Sequence, residues 1–423
     1  MLRLEDTDRE RSTDEAVEQI LDGLRWLELG WDEGPFRQSE RGERYAERLE
    51  QLLASGAAYW DVATAEDARR AKESSGGAGY RGDPVPEGTE GAAVRLRVPD
   101  EGETVVEDAI RGEARFENRL LDDFVIARAD RSPLYNFAVA VDDLEMGITH
   151  VVRGEDHLSN TPRQLLVVAA LGGESPVYAH LPLLHGVDGK PLSKRHGAVS
   201  VQEFRDQGYL PEAVCNYLAL LGWGYDETTT FFTTEELIEH FSLERVSRSP
   251  AVFDEQKLRW MNGHYLRRLD TKELTARASE YLRRSGLPGA NDSRLEQAVE
   301  AVREKISTLA ELPALVGFAF APLEIDEAAW SKVMTREGAS EALARTREAL
   351  AALDRFDEVE IEQALRGVVE SLGTKPGSVF QPLRVAVTGR TVSAGVFESV
   401  ALLGKEEALA RIDASLARLA APA

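Results

Sequence analysis

Three positive charges stand close together in the loop HGVDGKPLSKRHG, which runs from residue 185 to residue 197. They are Lys190, Lys194 and Arg195, and they occur in a chain whose net charge is −24 at pH 7. Converging cations on glycine-containing backbone suit a polyphosphate, because they can stabilise charge that develops during phosphoryl or nucleotidyl transfer. The tetrapeptide LSKR alone fits a solvated basic turn better, so the chemical interpretation depends on the other segments.

A cluster of carboxylates marks a second segment, LRLEDTDRERS, near the start of the sequence. A short predicted strand there delivers Glu5, Asp6 and Asp8, and a carboxylate at a strand end can hold a substrate group. Two other interpretations stay open for this segment. The acids could form a favourable cluster before a helix N-terminus, or a metal site of the Asp-x-Asp type.

Tyr135 and Arg153 belong to two further segments near predicted strand ends. Tyr135 follows a Ser-Pro turn and can hydrogen-bond a polar substrate, although a core aromatic with a hydrated hydroxyl fits as well. Arg153 ends a buried strand, where a guanidinium is suited to fork onto a carboxylate. The competing explanation for Arg153 is a structural ion pair with Glu155 or Asp156.

Together the four segments offer a carboxylate for an ammonium group, an arginine for a carboxylate, and lysines for phosphates. The sequence shows no Ser-His-Asp or Cys-His arrangement and no nucleophile elbow. A reaction whose nucleophile belongs to a substrate needs none, since the protein then contributes positioning and charge stabilisation. The residues therefore favour a reaction in which one bound substrate attacks another.

Composition excludes several classes of protein. The single cysteine, Cys215, rules out an internal disulfide and a cysteine-based zinc cluster, and the seven histidines lack metal-ligand spacing. We therefore expect no zinc, and only Mg²⁺ brought by a nucleotide. An excess of 74 acidic over 50 basic residues argues against a general nucleic-acid coat but leaves a local basic face open. No apolar run is long enough to span a membrane, and the polar N-terminus makes the cytoplasm the default location.

The elements that must position these residues alternate between strand and helix in the first half. ITHVV predicts a strand ending at Arg153, a helix follows from Thr161 to Gly172, and residues 181–184 predict the next strand before the basic loop. Ser12 is the predicted cap of the first helix. Strand–helix–strand alternation predicts a parallel sheet covered by helices, with a mixed insertion. After Ser200 the periodicity is helical.

The longer motifs carry a family resemblance that covers essentially the whole chain. The sequence resembles bacterial glutamyl-tRNA synthetases, which are class I aminoacyl-tRNA synthetases. The motifs are RLEDTDRERS, GLRWLELGWDEGP, RQSER, PLYNFAVAVDDLEMGITHVVRGEDHLSNTP, HLPLLHGVDGKPLSKRHG, FDEQKLRWMNGHYL and QPLRVAVTGR. Their length and order make a chance match negligible.

The resemblance implies an α/β Rossmann-type parallel sheet with a mixed α/β insertion, followed by an all-helical C-terminal half. It predicts five regions: residues 1–56, the first part of the Rossmann catalytic domain; 57–132, an insertion that binds the tRNA acceptor end; 133–185, the second part of the Rossmann domain; 186–270, the signature loop and stem-contact helices; and 271–423, the anticodon-binding region.

The family's amino acid site can be carried over where the motifs match. The resemblance implies that Glu5 binds the α-ammonium group of L-glutamate. It also implies that Tyr135 and Arg153 recognise the amino acid, Arg153 through the side-chain carboxylate. Asp156 and His157 would lie on the nucleotide side of the pocket.

For ATP, which binds with Mg²⁺, the resemblance implies a signature loop. Its residues are Pro191, Leu192, Ser193, Lys194 and Arg195. They occupy the place of the family's Lys-Met-Ser-Lys-Ser signature, whose first lysine is Pro191 here, with Lys190 one position earlier. Lys194 is the expected catalytic residue, contacting ATP phosphates and stabilising charge as pyrophosphate leaves. The implied product is glutamyl-adenylate, whose glutamyl group passes to the terminal ribose of tRNA(Glu). The family implies a monomer without a membrane partner, and tRNA(Gln) stands as a second candidate acceptor.

One departure from the family concerns its Pro-Ser-Pro-Thr-Gly…His-x-Gly turn, which supplies ATP contacts and is not found in this sequence. About 30 to 40 residues, roughly one βα unit, would be missing before Met1. We therefore expect little or no aminoacylation by the chain as written, and near-full ATP–pyrophosphate exchange would refute this expectation.

Three alternative functions can be compared with the same residues. A catalytically impaired form or a non-catalytic tRNA-binding derivative would explain the absent ATP motif, although the retained PLSKR loop disfavours a derivative without catalysis. The short paralogue that glutamylates a modified tRNA base lacks an anticodon-binding half. Glutaminyl-tRNA synthetase carries a β-rich anticodon module that the helical C-terminal half does not resemble.

Overall fold

The computed structural model of the chain describes residues 1–7, 12–193 and 200–421. The chain forms two compact units, Met1–Val199 with Cys215–Asp254, and Ser200–Val214 with Glu255–Ala423. The first unit contains β1 (Arg3–Leu4), α1 (Asp14–Trp26), β2 (Phe36–Arg37), α2 (Gly42–Ala54), β3 (Ala58–Asp61), α3 (Ala65–Ser74), β4 (Ala93–Leu96), β5 (Glu103–Asp108), β6 (Gly112–Glu117), β7 (Val125–Ala127), α4 (Tyr135–Glu145), β8 (His150–Gly154), α5 (Thr161–Ala170) and β9 (Val177–Leu181).

The described strands of the first unit form three sheets. β1 pairs with β2 in parallel, and β3, β4 and β7 form an antiparallel sheet. The third sheet has the order β6–β5–β9–β8, in which β8 and β9 are parallel from His150–Val177 to Gly154–Leu181. Helix α5 connects these two strands, with Pro162 in its first turn, where a missing N–H costs nothing. The predicted parallel pairing with a covering helix is therefore confirmed.

The third sheet is mixed rather than purely parallel. β5 pairs with β6 in antiparallel fashion along its length and with β9 in parallel at Asp108–Tyr178. β5 is not predicted from the sequence, because its segment ETVVED is short and half of its residues are charged. Its pairing with β6 and β9 defines it as a strand, since strand formation depends on neighbours more than on propensity.

Two sequence predictions about element ends are wrong. The strand before the basic loop is β9, which ends at Leu181, and not residues 181–184. Pro182 explains the difference, because it has no N–H to continue the ladder. The cap of α1 is Thr13, whose side chain accepts a hydrogen bond from Ala16 N, and not Ser12.

The main core of the first unit joins the antiparallel sheet to three helices. Tyr45 and Leu49 of α2, Ile126 of β7, Phe137 of α4 and Val167 of α5 are buried together in it. Burying each such side chain stabilises a fold by about 1.5–3 kcal/mol. This packing fixes the start of α4 and the course of α5, which are the elements beside the predicted site.

The second unit is helical in all its named elements that the structure describes. They are α6 (Val201–Asp206), α7 (Pro211–Ala219), α9 (Glu255–Arg268), α10 (Thr271–Arg284), α11 (Leu295–Glu300), α12 (Leu312–Val316), α13 (Glu327–Val333), α14 (Ala339–Ala351), α15 (Glu358–Ser371), α16 (Pro376–Thr388), α17 (Val396–Leu403) and α18 (Lys405–Ala420). The last residues of α7 belong to the first unit, as does the whole of α8 (Thr234–His240). The predicted helical C-terminal half is confirmed. Within the described ranges, no helix has the length and apolar character needed to cross a membrane.

Asp142 is a fully buried carboxylate that ties α4 to α2 and to the residues just before it. It accepts hydrogen bonds from Gln38 Nε2 at 2.9 Å, Arg41 Nε at 2.7 Å and Tyr45 Oη at 2.8 Å. Burial and the nearby carboxylate raise the pKa of Tyr45, so the phenol stays a donor. A buried charge with three donors fixes the position of α4 more strictly than apolar contact alone.

We predict that Asp142→Ala lowers the free energy of unfolding by about 3 kcal/mol, because it leaves one guanidinium and two polar groups without their acceptor. Urea unfolding measures the loss. Glu47→Ala, which removes an exposed ion pair with Arg44, serves as the control and should change stability by less than about 1 kcal/mol. Equal effects of the two substitutions on the free energy of unfolding would contradict the stabilising role of Asp142.

Candidate active site

A cavity of about 410 Å³ in the first unit brings together four of the residues predicted from sequence. They are Glu5, Tyr135, Arg153 and His157, which come from three separate segments of the chain. The other lining residues are Met1, Arg3, Val139, Asp143, Ile148, His150, Val151 and Val152. The cavity therefore combines carboxylates, guanidinium groups and aromatic rings over a partly apolar wall.

Each predicted residue reaches the cavity from the end of a regular element. Glu5 follows β1, Tyr135 begins α4, and Arg153 is the fourth residue of β8. His157 ends a short 3₁₀ helix directly after β8. Ligand sites in open α/β folds collect at such strand ends and helix starts, because the connecting segments converge there.

Arg153 is held by three side chains of the first unit. Its Nε donates to His180 Nε2 at 3.2 Å, and its Nη2 donates to Thr161 Oγ1 at 2.8 Å and to Gln164 Oε1 at 2.9 Å. His180, Thr161 and Gln164 are fully buried. The ring of Tyr178 also lies beneath the guanidinium, with its centroid 5.4 Å from Cζ. The side chain is thus fixed before any ligand binds.

His180 connects Arg153 to a buried carboxylate. His180 Nδ1 lies 2.5 Å from Asp108 Oδ2, and Asp108 also accepts the backbone N–H groups of His180, Ile110 and Arg111. Burial lowers the pKa of His180, although Asp108 acts in the opposite direction. Burial alone would raise the pKa of Asp108, but its N–H donors and His180 lower it. A neutral imidazole beside an ionised carboxylate is the consistent state near pH 7.

Arg3 provides a second guanidinium at the cavity. Its Nη1 donates to Asp143 Oδ1 at 2.8 Å and its Nη2 to Glu5 Oε1 at 3.2 Å. Burial raises the pKa of Asp143, and Arg3 opposes that shift. Burial lowers the pKa of Arg3, but Asp143 and Glu5 outweigh it and the net shift is upward. Arg3 therefore stays charged and orients the Glu5 carboxylate, which remains about two-fifths exposed.

Tyr135 and His157 form a polar pair on the cavity wall. Tyr135 Oη lies 3.3 Å from His157 Nδ1, and the two ring centroids are 6.0 Å apart. Burial raises the pKa of Tyr135, and the charge of Glu5 adds to this shift. The phenol is therefore protonated at neutral pH and can donate a hydrogen bond to a ligand.

Asp156 lies beside His157, with its Oδ2 3.8 Å from His157 Nε2. Its side chain is exposed, and it is not part of the cavity lining. The ion-pair explanation for Arg153 is also wrong, since among the described residues neither Glu155 nor Asp156 is a hydrogen-bond partner of Arg153. Glu155 instead accepts from Arg111 Nη2 and from Leu183 N.

Only part of the predicted signature loop lies within the described residues. Leu192 N donates to Leu184 O, and Pro191 forms a bridge with His185, so the loop returns alongside itself. Pro191 and Ser193 are exposed, while Leu192 is half-buried. Lys194 and Arg195 lie outside the described ranges, as does Asp8 of the acidic segment.

Sequence analysis misses Arg3, His180 and Asp108. A lone histidine or aspartate near a strand end has no motif, so residue type alone gives no signal. The parallel register of β8 and β9 gives a signal for His180, because it pairs this residue directly with Arg153. Arg3 alternates with Glu5 along the first segment, and this spacing places both side chains on one side of an extended chain.

Comparisons with known proteins agree with this arrangement of elements and residues. Residues 1–260 match the catalytic domain of class I tRNA synthetases specific for E and Q, and residues 273–416 match an anticodon binding domain. The chain is 42% identical to glutamate–tRNA ligase 1 of Caldanaerobacter subterraneus subsp. tengcongensis, over 98% of this chain and 90% of that protein. It is 44% identical to glutamate–tRNA ligase 2 of Rubrobacter xylanophilus, over 100% of this chain and 91% of that protein.

A solved structure also shows similarity to a glutamate–tRNA ligase. A glutamate tRNA ligase from Elizabethkingia meningosepticum CCUG26117, in complex with its amino acid, superposes with a TM-score of 0.81 at 28% identity, covering 99% of this chain and 92% of that chain. The fold and the two matched domains define a class I aminoacyl-tRNA synthetase. Within that class, the chain belongs to the glutamate–tRNA ligase family.

The lowered pKa of His180 predicts how stability responds to acid. Its folded-state pKa lies below the ordinary value of 6.5, so the unfolded chain binds the proton more readily. The stabilisation is fully present above pH 6.5 and decreases as the pH falls toward the folded-state pKa, by at most about 1.4 kcal/mol per pH unit. Urea unfolding of wild type and His180→Gln across this range measures the difference, with His240→Gln as the control. Parallel curves for wild type and His180→Gln would contradict the prediction.

Proposed function

We propose that the protein activates L-glutamate with Mg–ATP and transfers the glutamyl group to tRNA(Glu), and that membership of the family outweighs the low aminoacylation expected above from the unmatched ATP turn. The observation that carries this proposal is the cavity that presents the Arg153 guanidinium and the Glu5 carboxylate to one ligand. An amino acid with a carboxylate side chain offers a matching ammonium group and a matching anion. The cavity volume falls within the range of small-molecule sites.

The proposed amino acid contacts follow from the chemistry of the lining groups. Glu5 binds the α-ammonium group, while Arg153 binds the side-chain carboxylate with charge-assisted hydrogen bonds. Tyr135 donates its hydroxyl to the ligand, and His157 lies toward the nucleotide with Asp156 farther out. Membership of the family and the position of these side chains at one cavity support the assignments.

The proposed reaction has two steps. An oxygen of the α-carboxylate of glutamate attacks the α-phosphorus of ATP, the bond to the β-phosphate breaks, and pyrophosphate leaves with Mg²⁺. The terminal ribose hydroxyl of the tRNA then attacks the glutamyl carbonyl carbon, loses its proton, and AMP leaves. Both nucleophiles belong to substrates, so the protein contributes position and charge stabilisation.

ATP binding is assigned to the signature loop of Pro191, Leu192, Ser193, Lys194 and Arg195, with Lys194 stabilising charge at the phosphates. The helical match to an anticodon binding domain at residues 273–416 supports tRNA as the second substrate. Charging purified tRNA(Glu) and tRNA(Gln) in parallel measures whether the second tRNA is also an acceptor.

Arg153→Leu tests the amino acid assignment. We predict that the affinity for a stable sulfamoyl analogue of glutamyl-adenylate falls about 10- to 100-fold, because a charge-assisted hydrogen bond to the side-chain carboxylate is lost. Isothermal titration calorimetry gives the dissociation constant, and the control is Arg163→Leu in the first turn of α5, where Arg163 Nη1 donates to Ser159 O in an exposed hydrogen bond. Unchanged affinity in Arg153→Leu would remove this arginine from the site.

Lys194→Ala tests the ATP assignment. We predict a fall of about 100-fold or more in glutamate-dependent ATP–pyrophosphate exchange, because a charge donor to the transferring phosphate is removed. Binding of tRNA, measured by filter retention, should not change. An unchanged exchange rate would exclude Lys194 from the mechanism. Tight tRNA binding by the unsubstituted chain without any exchange would favour the alternative, a catalytically impaired or non-catalytic tRNA-binding form.

A further inference from the structure

We infer that His180 is a positioning residue for substrate selection, which orders the donors of Arg153 so that one nitrogen remains for the ligand's side-chain carboxylate. The inference rests on the proposed function, because it assumes that Arg153 meets the carboxylate of glutamate. It assigns a role to a fully buried residue that does not line the cavity.

A guanidinium has five N–H bonds. The Nε–H of Arg153 is used by His180 Nε2, and the two N–H bonds of Nη2 are used by Thr161 and Gln164. Nη1 has no hydrogen-bond partner in the part of the chain that the structure describes. A ligand carboxylate therefore meets a single nitrogen with two N–H bonds, and not the two-nitrogen fork that arginine usually offers.

The tautomer of His180 follows from its neighbours. A guanidinium can only donate, so Nε2 of His180, 3.2 Å from Arg153 Nε, must carry a lone pair. The ring proton then sits on Nδ1 and is donated to Asp108 Oδ2. A proton on Nε2 would place two N–H groups against each other and turn the guanidinium away from its place. Burial, which disfavours the charged imidazolium, acts in the same direction.

The partners of Arg153 are themselves fixed, so the order of donors is well defined. Gln164 Nε2 donates to Asn136 Oδ1 at 3.1 Å, which leaves Gln164 Oε1 as the acceptor facing Arg153. Asp108 is held by three backbone N–H groups in addition to the imidazole. The hydrogen-bonded series Asp108–His180–Arg153 therefore has one arrangement, which fixes the orientation of the guanidinium at the cavity.

This arrangement has a consequence for selectivity. Nη1 donates from a positively charged guanidinium, so its hydrogen bond to an anionic carboxylate oxygen is stronger than its bond to the neutral carboxamide oxygen of glutamine. A guanidinium free to turn away from the cavity would lose this advantage of the carboxylate. A fixed guanidinium makes the preference for glutamate over glutamine depend on His180, although His180 touches neither amino acid.

Two substitutions of His180 test this inference by calorimetry with the glutamyl and glutaminyl sulfamoyl-adenylate analogues. His180→Leu removes the acceptor at similar volume, and we expect the ratio of the two dissociation constants to fall at least about 10-fold. His180→Gln can present its amide oxygen near the place of Nε2, and the ratio should stay within about threefold of wild type. Arg153→Ala should abolish the preference.

The outcomes separate the inference from the proposed function. Loss of preference in Arg153→Ala but not in His180→Leu overturns the inference and leaves the proposed function intact. No preference in the wild-type chain overturns the proposed function, and the inference with it. A ligand-independent measurement completes the test: ¹⁵N NMR of the histidine rings should show His180 as the Nδ1–H tautomer at pH 7.5, and an Nε2–H tautomer would overturn the inference even if His180→Leu fails to fold.

Discussion

The parallel register of β8 and β9 is the constraint on which the candidate site depends. It places Arg153 beside His180, and β5 brings Asp108 to the other side of the same imidazole. Each of these three groups would be costly to bury alone, because a charged or polar group loses its hydration in the interior. Because they lie side by side across β5, β9 and β8, they satisfy one another's hydrogen-bonding groups. Arg153, at the end of this series, reaches the cavity with donors still available.

A second set of charges fixes the opposite side of the cavity. Arg3 bridges Glu5 and Asp143, and the adjacent Asp142 binds donors that hold α4 in place. Two consecutive buried aspartates therefore have separate tasks, one toward β1 and the cavity and the other toward α2. This explains why a helix that begins with a cavity-facing tyrosine also contains two acids within its buried face.

Sequence analysis predicts the part of the site that residue type and element ends can reveal. Glu5, Tyr135 and Arg153 stand at a strand end, a helix start and a strand end, and all three line one cavity. His180 and Asp108 could not be predicted in the same way, because their partners are set by strand register and by a strand, β5, whose sequence carries little signal. Pro182 likewise decides where β9 ends through a missing N–H, an effect that the apolar run at residues 181–184 conceals.

We propose that this cavity holds the amino acid substrate with its side chain directed at Arg153. A crystal structure of the chain with the sulfamoyl analogue of glutamyl-adenylate would show where the ligand binds. We expect the side-chain carboxylate within hydrogen-bond distance of Arg153 Nη1 and the ammonium group at Glu5, with the hydrogen bond from Arg153 Nε to His180 intact. A ligand whose side-chain carboxylate binds Arg3 instead, or that lies outside the cavity, would contradict it.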